Sequence, residues 1–227
     1  MKKMLVIIFI LLIIFIGIYI NKKNIGNETV TATEVNNIEE YISKIYMWQE
    51  VTEEALPKFN NINDAPDLWL WEVVKKNLDD YEVSYDEIEQ KAKEIFGEEF
   101  TKQFPKEGTE YIQYNEELKK YVATGVGLDT LDDSFFIKQI TKTKNGYEVE
   151  ITEYLEDYEN SMNIEDENQV YDIYIKDLNH NIIATIKSND GKTKSIEVVK
   201  ENIDKFTTKK IILEKDKNEN LYVRQVG

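Results

Sequence analysis

Residues 4–20 form an unbroken apolar run, from Met4 to Ile20, that contains no charge and no side-chain amide. As a helix rising ~1.5 Å per residue the run reaches about 26 Å. That nearly spans the ~30 Å hydrocarbon core of a bilayer. Lys2 and Lys3 precede the run and Asn21, Lys22 and Lys23 follow it, so both ends can snorkel to head groups, and Tyr19 suits the interface. A cleaved signal peptide would carry an apolar region of only ~7–15 residues with small residues close behind. Here two lysines follow, and the nearest small-residue pair, Val30 and Ala32, lies beyond a polar stretch. The run therefore reads as a retained, single-pass transmembrane anchor. Residues 1–3 become a short cytoplasmic leader, 21–33 a linker, and 34–227 a domain displayed on the extracellular side of the cell membrane. The chain has no cysteine, so lipid acylation of a lipoprotein and disulfide stapling are both excluded.

Charge narrows the partners. Four of the 28 basic residues flank the apolar run and none of the 44 acidic ones precedes Glu28, which leaves the remainder at −20. Arg224 is the only arginine, and bidentate recognition of phosphate or guanine leans on arginine. Nucleic acid is excluded as a partner. Anionic head groups repel such a domain, so membrane contact is confined to residues 4–20.

Beyond the linker the apolar positions recur first at helical and then at alternating spacing. Val35, Ile38, Ile42, Ile45, Val51, Ala55, Leu56 and Phe59 predict one long amphipathic helix closed by Pro57. Asp64 and Pro66 open a second helix over about 65–79 with Leu68, Trp69, Trp71, Val74 and Leu78. Ser84 and Glu87 form a capping box for a third helix, which Gly97 closes. Three hairpins follow: 135–143 with 147–155 across Asn145 and Gly146, 170–176 with 182–187, and 210–215 with 221–226. Their succession predicts a meandering antiparallel sheet. Residues 156–169 read as a mobile acidic loop, and 197–206 as a short helix. Helices first and sheet afterwards predict an α+β fold, about three helices packed on a curved antiparallel sheet.

This order behind an anchor resembles the NTF2-like (cystatin-like) extracytoplasmic domains of low-GC Gram-positive bacteria, whose composition the abundant isoleucine, lysine and asparagine also suggest. The likeness covers about residues 34–227, with Ile95, Phe96 and Gly97 ending the third helix and the closing hairpin running through Tyr222. It implies a fold that hosts isomerases, hydratases, transport factors and inert binding domains alike.

Candidate chemistry is sparse. Asp177, Asn179 and Asn181, like Asp216, Asn218 and Asn220, match the first three ligand positions of a calcium loop, but Ile182 and Leu221 stand where its glycine belongs and the distal glutamate is missing. Both read as asparagine-rich turns. Glu153, Glu156, Asp157, Glu159, Glu165, Asp166 and Glu167 form an acidic run without ligand spacing, which reads as solvated charge. His180, the only histidine, sits at a turn tip. No Gly-x-Ser-x-Gly occurs, and Gly125 and Gly127 lack the third glycine of a dinucleotide loop. No catalytic residue, cofactor or metal is assigned. Trp69, Trp71, Tyr111, Tyr114 and Tyr121 either line a cavity between helices and sheet or simply fill the core. The sequence thus points to a binding or assembly module without catalytic chemistry, meeting a membrane or envelope protein. Two alternatives stand beside it: a VirB8-like component of a conjugation or secretion system, and a small-molecule enzyme using an NTF2-like cavity with Asp132 or Asp133 as base.

Overall fold

In the computed structural model the described residues are 29–47, 54–124, 131–157, 172–187 and 192–227. The expected anchor at 4–20 and nearly all of the expected loop at 156–169 lie outside them. No helix among the described residues is long and apolar enough to cross a membrane.

Local sequence explains where the helices start. Helix α1 (Ala32–Ile45) opens on Thr31, whose hydroxyl accepts the Glu34 N–H while the Glu34 carboxylate accepts the Thr31 N–H. This capping box falls inside the stretch read as linker. Ile38, Tyr41, Ile42 and Ile45 make its buried stripe at the spacing of one helix face. The helix ends well before Pro57. Ala55, Leu56 and Phe59, which prolonged the helical pattern, are buried in extended and bent backbone, and Phe59 bridges to Val226. Their burial, not a helical turn, accounts for the apolar pattern.

Helix α2 (Asp67–Lys76) starts later than expected because Asn61 caps a separate 3-10 turn over Ile62–Asp64. Trp69, Leu70, Trp71, Val73 and Val74 are all buried, so α2 is enclosed on more than one side. Helix α3 (Tyr85–Phe96) matches the sequence reading, from the Ser84 and Glu87 box to Gly97. Helix α4 (Lys192–Glu201) begins before the expected 197, with a 3-10 turn at Ile203–Lys205.

Two antiparallel sheets accompany the helices. The smaller, unforeseen as a separate unit, orders β1 (Glu82–Val83), β3 (Lys120–Ala123) and β2 (Ile112–Asn115) with β3 in the middle. The larger contains the three expected hairpins, β4 (Leu131–Lys142) with β5 (Gly146–Asp157), β6 (Asp172–Lys176) with β7 (Ile182–Lys187), and β8 (Thr207–Lys215) with β9 (Leu221–Val226). They do not follow one another as a meander. β4 pairs along one edge of β5, while the other edge is shared: β8 takes Gly146 to Glu153 and β6 takes Leu155 to Asp157.

Because strand side chains alternate between faces, β5 buries both. Tyr147, Val149 and Ile151 join Ile211, Leu213 and the helices in the main core. On the opposite face Glu148 and Glu150 pair with Lys210 and Lys138, and farther along Tyr154 joins a second cluster with Ile173, Ile175, Ile186, Val199 of α4 and Phe206. Helix α1 runs antiparallel to β4: Glu34 meets Lys142 at one end (3.0 Å), and the Tyr46 hydroxyl donates to the Ser134 carbonyl at the other (3.2 Å).

Gly97 has φ +88°, and a Cβ there would stand 3.0 Å from the Tyr222 ring. Gly97→Ala should therefore lower stability by about 1–2 kcal/mol, since strain and crowding act together. A denaturant midpoint equal to the parent's would contradict this.

Candidate functional site

Four of the five aromatic residues singled out from the sequence, Trp69, Trp71, Tyr121 and Tyr114, belong to one chain of ring contacts, in which Phe96 and Phe100 link the two tryptophans. Trp69 packs its ring against Phe59 (centroids 5.6 Å) and Phe96 (5.8 Å), and its indole N–H donates to the Ala55 carbonyl at 3.1 Å. Trp71 meets Phe104 edge-on at 5.1 Å, Phe104 meets Tyr121 at 5.2 Å, and Tyr121 meets Tyr114 at 5.1 Å. The Tyr121 hydroxyl donates to the Lys106 carbonyl at 2.6 Å. Tyr111 is half-buried beneath the Lys75 ammonium, and Tyr114 is exposed. Edge-on and tilted rings at these separations are in favourable contact, and the two tryptophans and Tyr121 are buried among them.

Open space lies elsewhere. A cleft of about 750 Å³ runs between α1, α3 and the β8–β9 turn, with Glu34, Tyr41, Lys91, Tyr147 and Tyr222 among its walls. A neighbouring cleft of about 720 Å³ shares Glu94, Asn220 and Tyr222 with it. None of the five aromatics lines either one. Together the clefts carry nine carboxylates and five lysines, a proportion similar to the 44 acidic and 28 basic residues of the chain, so charge does not set this trough apart.

Its best-organised group is Glu34. The Thr31 N–H, the Tyr147 hydroxyl (2.7 Å) and Lys142 converge on the carboxylate and hold its pKa at about 2. Below it Tyr41 ties three elements together. Its hydroxyl donates to the Ile95 carbonyl at 3.0 Å and accepts the Val223 N–H at 2.8 Å, while burial pushes its ionisation upward.

Both asparagine-rich turns are closed by their own aspartates. Asp177 accepts the N–H groups of Asn179 (2.9 Å) and Asn181 (2.8 Å), and Asp216 those of Asn218 (2.7 Å) and Asn220 (2.9 Å). Partial burial raises each pKa, but the amide donors together outweigh it and lower both. His180 sits at the first turn with φ +62°. Among the described residues no group of three or more histidine, aspartate or glutamate side chains is placed to hold a metal ion.

Sequence reasoning missed one feature entirely. Glu153, inside the expected strand 147–155, and Glu156 and Asp157, at the start of the expected loop, were read as solvated charge, yet all three lie on β5 and are buried, with Glu153 fully so. Glu153 faces Lys209 of β8 at 3.2 Å, and Asp157 pairs with Lys176 of β6. Burial raises the Glu153 pKa against the opposing pull of Lys209. The available signal was Lys209, a charge at a core-facing position of an otherwise alternating strand. Asp132 and Asp133 stand on β4 opposite Glu156 and Leu155.

Comparison of the chain with protein-family models, with curated proteins and with solved structures found no match.

Two outcomes follow from this geometry. Millimolar calcium should leave the melting temperature unchanged, because a ligand stabilises only through RT ln(1 + [L]/Kd) and the turn aspartates already serve their own amides. A rise of several degrees that Asp177→Ala or Asp216→Ala abolishes would reverse this reading. For pH, the Glu34 pKa is depressed from 4.5 to about 2, so its stabilisation is complete above 4.5 and disappears as the pH falls toward 2. Melting curves over that window should therefore decline less steeply for Glu34→Gln than for the parent.

Proposed function

We propose that this chain is a membrane-anchored, extracytoplasmic binding or assembly module, whose domain adopts an NTF2-like arrangement and acts by contact with another membrane or envelope protein. The observation that carries the reading is the packing at the helix–sheet interface. Trp69 with Phe59 and Phe96, and Trp71 with Phe104 and Tyr121, fill space that a small-molecule site would keep open. The open volume borders solvent and is walled by polar side chains, which suits recognition of a macromolecular surface more than enclosure of a substrate.

The sequence supports the setting. Residues 4–20 supply the anchor, and the ten residues 21–30 between it and the Thr31 cap of α1 form a tether that can reach at most about 35 Å even at full extension, which keeps the domain near the bilayer. Such a tether restricts partners to those at the membrane. Three helices that all precede the larger antiparallel sheet support the NTF2-like assignment, and the acidic, arginine-poor composition speaks for protein partners over nucleic acid.

In-cell cross-linking tests the proposal. The full chain should remain with membranes in high salt, because apolar insertion is not screened. It should also capture a defined membrane or envelope protein that a chain lacking residues 1–20 captures poorly. Extraction by salt, or equal capture by both forms, would refute the anchored module.

A further inference from the structure

We propose that Glu153 and Lys209 form an acid-released latch that holds the connection between α1 and α2 on the sheet. Lys209 is the hinge point. Its side chain is 2% exposed, it touches the Glu153 carboxylate at 3.2 Å, and its ammonium donates to the Leu56 carbonyl at 2.6 Å. A strand lysine is thereby fastened to a backbone oxygen 153 residues away in sequence. The same short segment is held at Ala55, whose carbonyl accepts both the Met47 N–H and the Trp69 indole N–H, and at Phe59, which exchanges two backbone hydrogen bonds with Val226. Of these ties only the one at Leu56 depends on an ionisable pair.

The surroundings make the pair sensitive to protons. Among the described residues the groups facing Glu153 are Lys209 from β8, the Tyr46 hydroxyl from the end of α1, and Glu54 from the connection itself, 3.9 Å from the Lys209 nitrogen. From β4 its register partner is Phe135, which does not titrate. On the same face of β5 the next charge is Asp157, which pairs with Lys176 of β6, while Glu156 alternates to the opposite face. Glu153 makes an ionic contact with Lys209, and that ammonium together with the Tyr46 hydroxyl offsets part of the cost of its burial. Once Glu153 takes up a proton, the buried Lys209 cation keeps only the more distant Glu54 carboxylate, which is unfavourable. Glu54, whose side chain is 38% exposed, is the other carboxylate within reach of Lys209. Lys209 then moves outward toward Glu54 and releases Leu56, while the Trp69 and Phe59 ties keep the core closed. The sign follows from linkage: Lys209 lowers the pKa of the buried Glu153, so the form in which Lys209 has moved away binds the proton more tightly and is favoured as pH falls.

Hydrogen exchange of the full chain in detergent micelles, corrected for intrinsic rates, tests this at residues 54–59. Between pH 7.5 and 5 the parent should lose about tenfold protection there, with α3 unchanged. Glu153→Gln should show the weakened protection already at pH 7.5 and no further change at pH 5. Should that variant unfold, Glu54→Gln serves, and it should deepen the loss at pH 5 by removing the fallback acid. Protection in the parent that is equal at both pH values, or a pH response that survives Glu153→Gln, would overturn the latch.

Discussion

The larger sheet depends on β5 having both of its edges and both of its faces occupied. A strand offers one row of hydrogen-bonding groups on each edge, and β5 gives one entire row to β4 and divides the other between β8 and β6. Its faces are divided in the same way, with the main core on one side and the α4 cluster on the other, toward its C-terminal end. The change of partner falls where the side chains turn ionic. Glu153 and Asp157 stand on either side of the junction, and each finds its lysine on a different neighbouring strand.

That arrangement explains what could be read from sequence. The capping box at Ser84, the glycine after Phe96 and the three hairpins are local signals, decided by residues within a few positions of one another, and they were legible. The end of α1 was not, because Ala55, Leu56 and Phe59 are buried by tertiary contact and imitate a helical stripe. The small sheet was missed because its strands are two to four residues long, too short for a period to show. The order of strands escaped as well, since nothing local states that β8 pairs with β5 instead of β7. Gly146 is instructive here. An Asn–Gly pair suggests a turn glycine, yet a Cβ at this position would lie 2.1 Å from the Leu213 carbonyl. The residue is small to let β8 approach.

The candidate site was less legible than the fold. Of the five aromatics chosen, the two tryptophans and Tyr121 lie in the packed interior and Tyr114 at its exposed margin, consistent with aromatic residues serving core and surface alike. The trough walls are ordinary charged and amide side chains drawn from α1, α3 and the last hairpin, without any sequence signature. The buried acids were legible least of all, because an acidic residue in a strand breaks the apolar alternation that identifies strands.

The Tyr41 hydroxyl joins α1 to a backbone N–H 182 residues later, and Lys209 reaches back 153 residues to Leu56. Closing such long loops is entropically costly and slow relative to forming a hairpin or a capped helix. The chain can therefore build α3 and the β4–β5 hairpin early, but α1 and α2 lack their final partners until β8 and β9 arrive. During synthesis, α1 and the segment around Phe59 lack these partners until the last hairpin has been made, when Val223 and Val226 can dock. The order of assembly is thus written into the last hairpin.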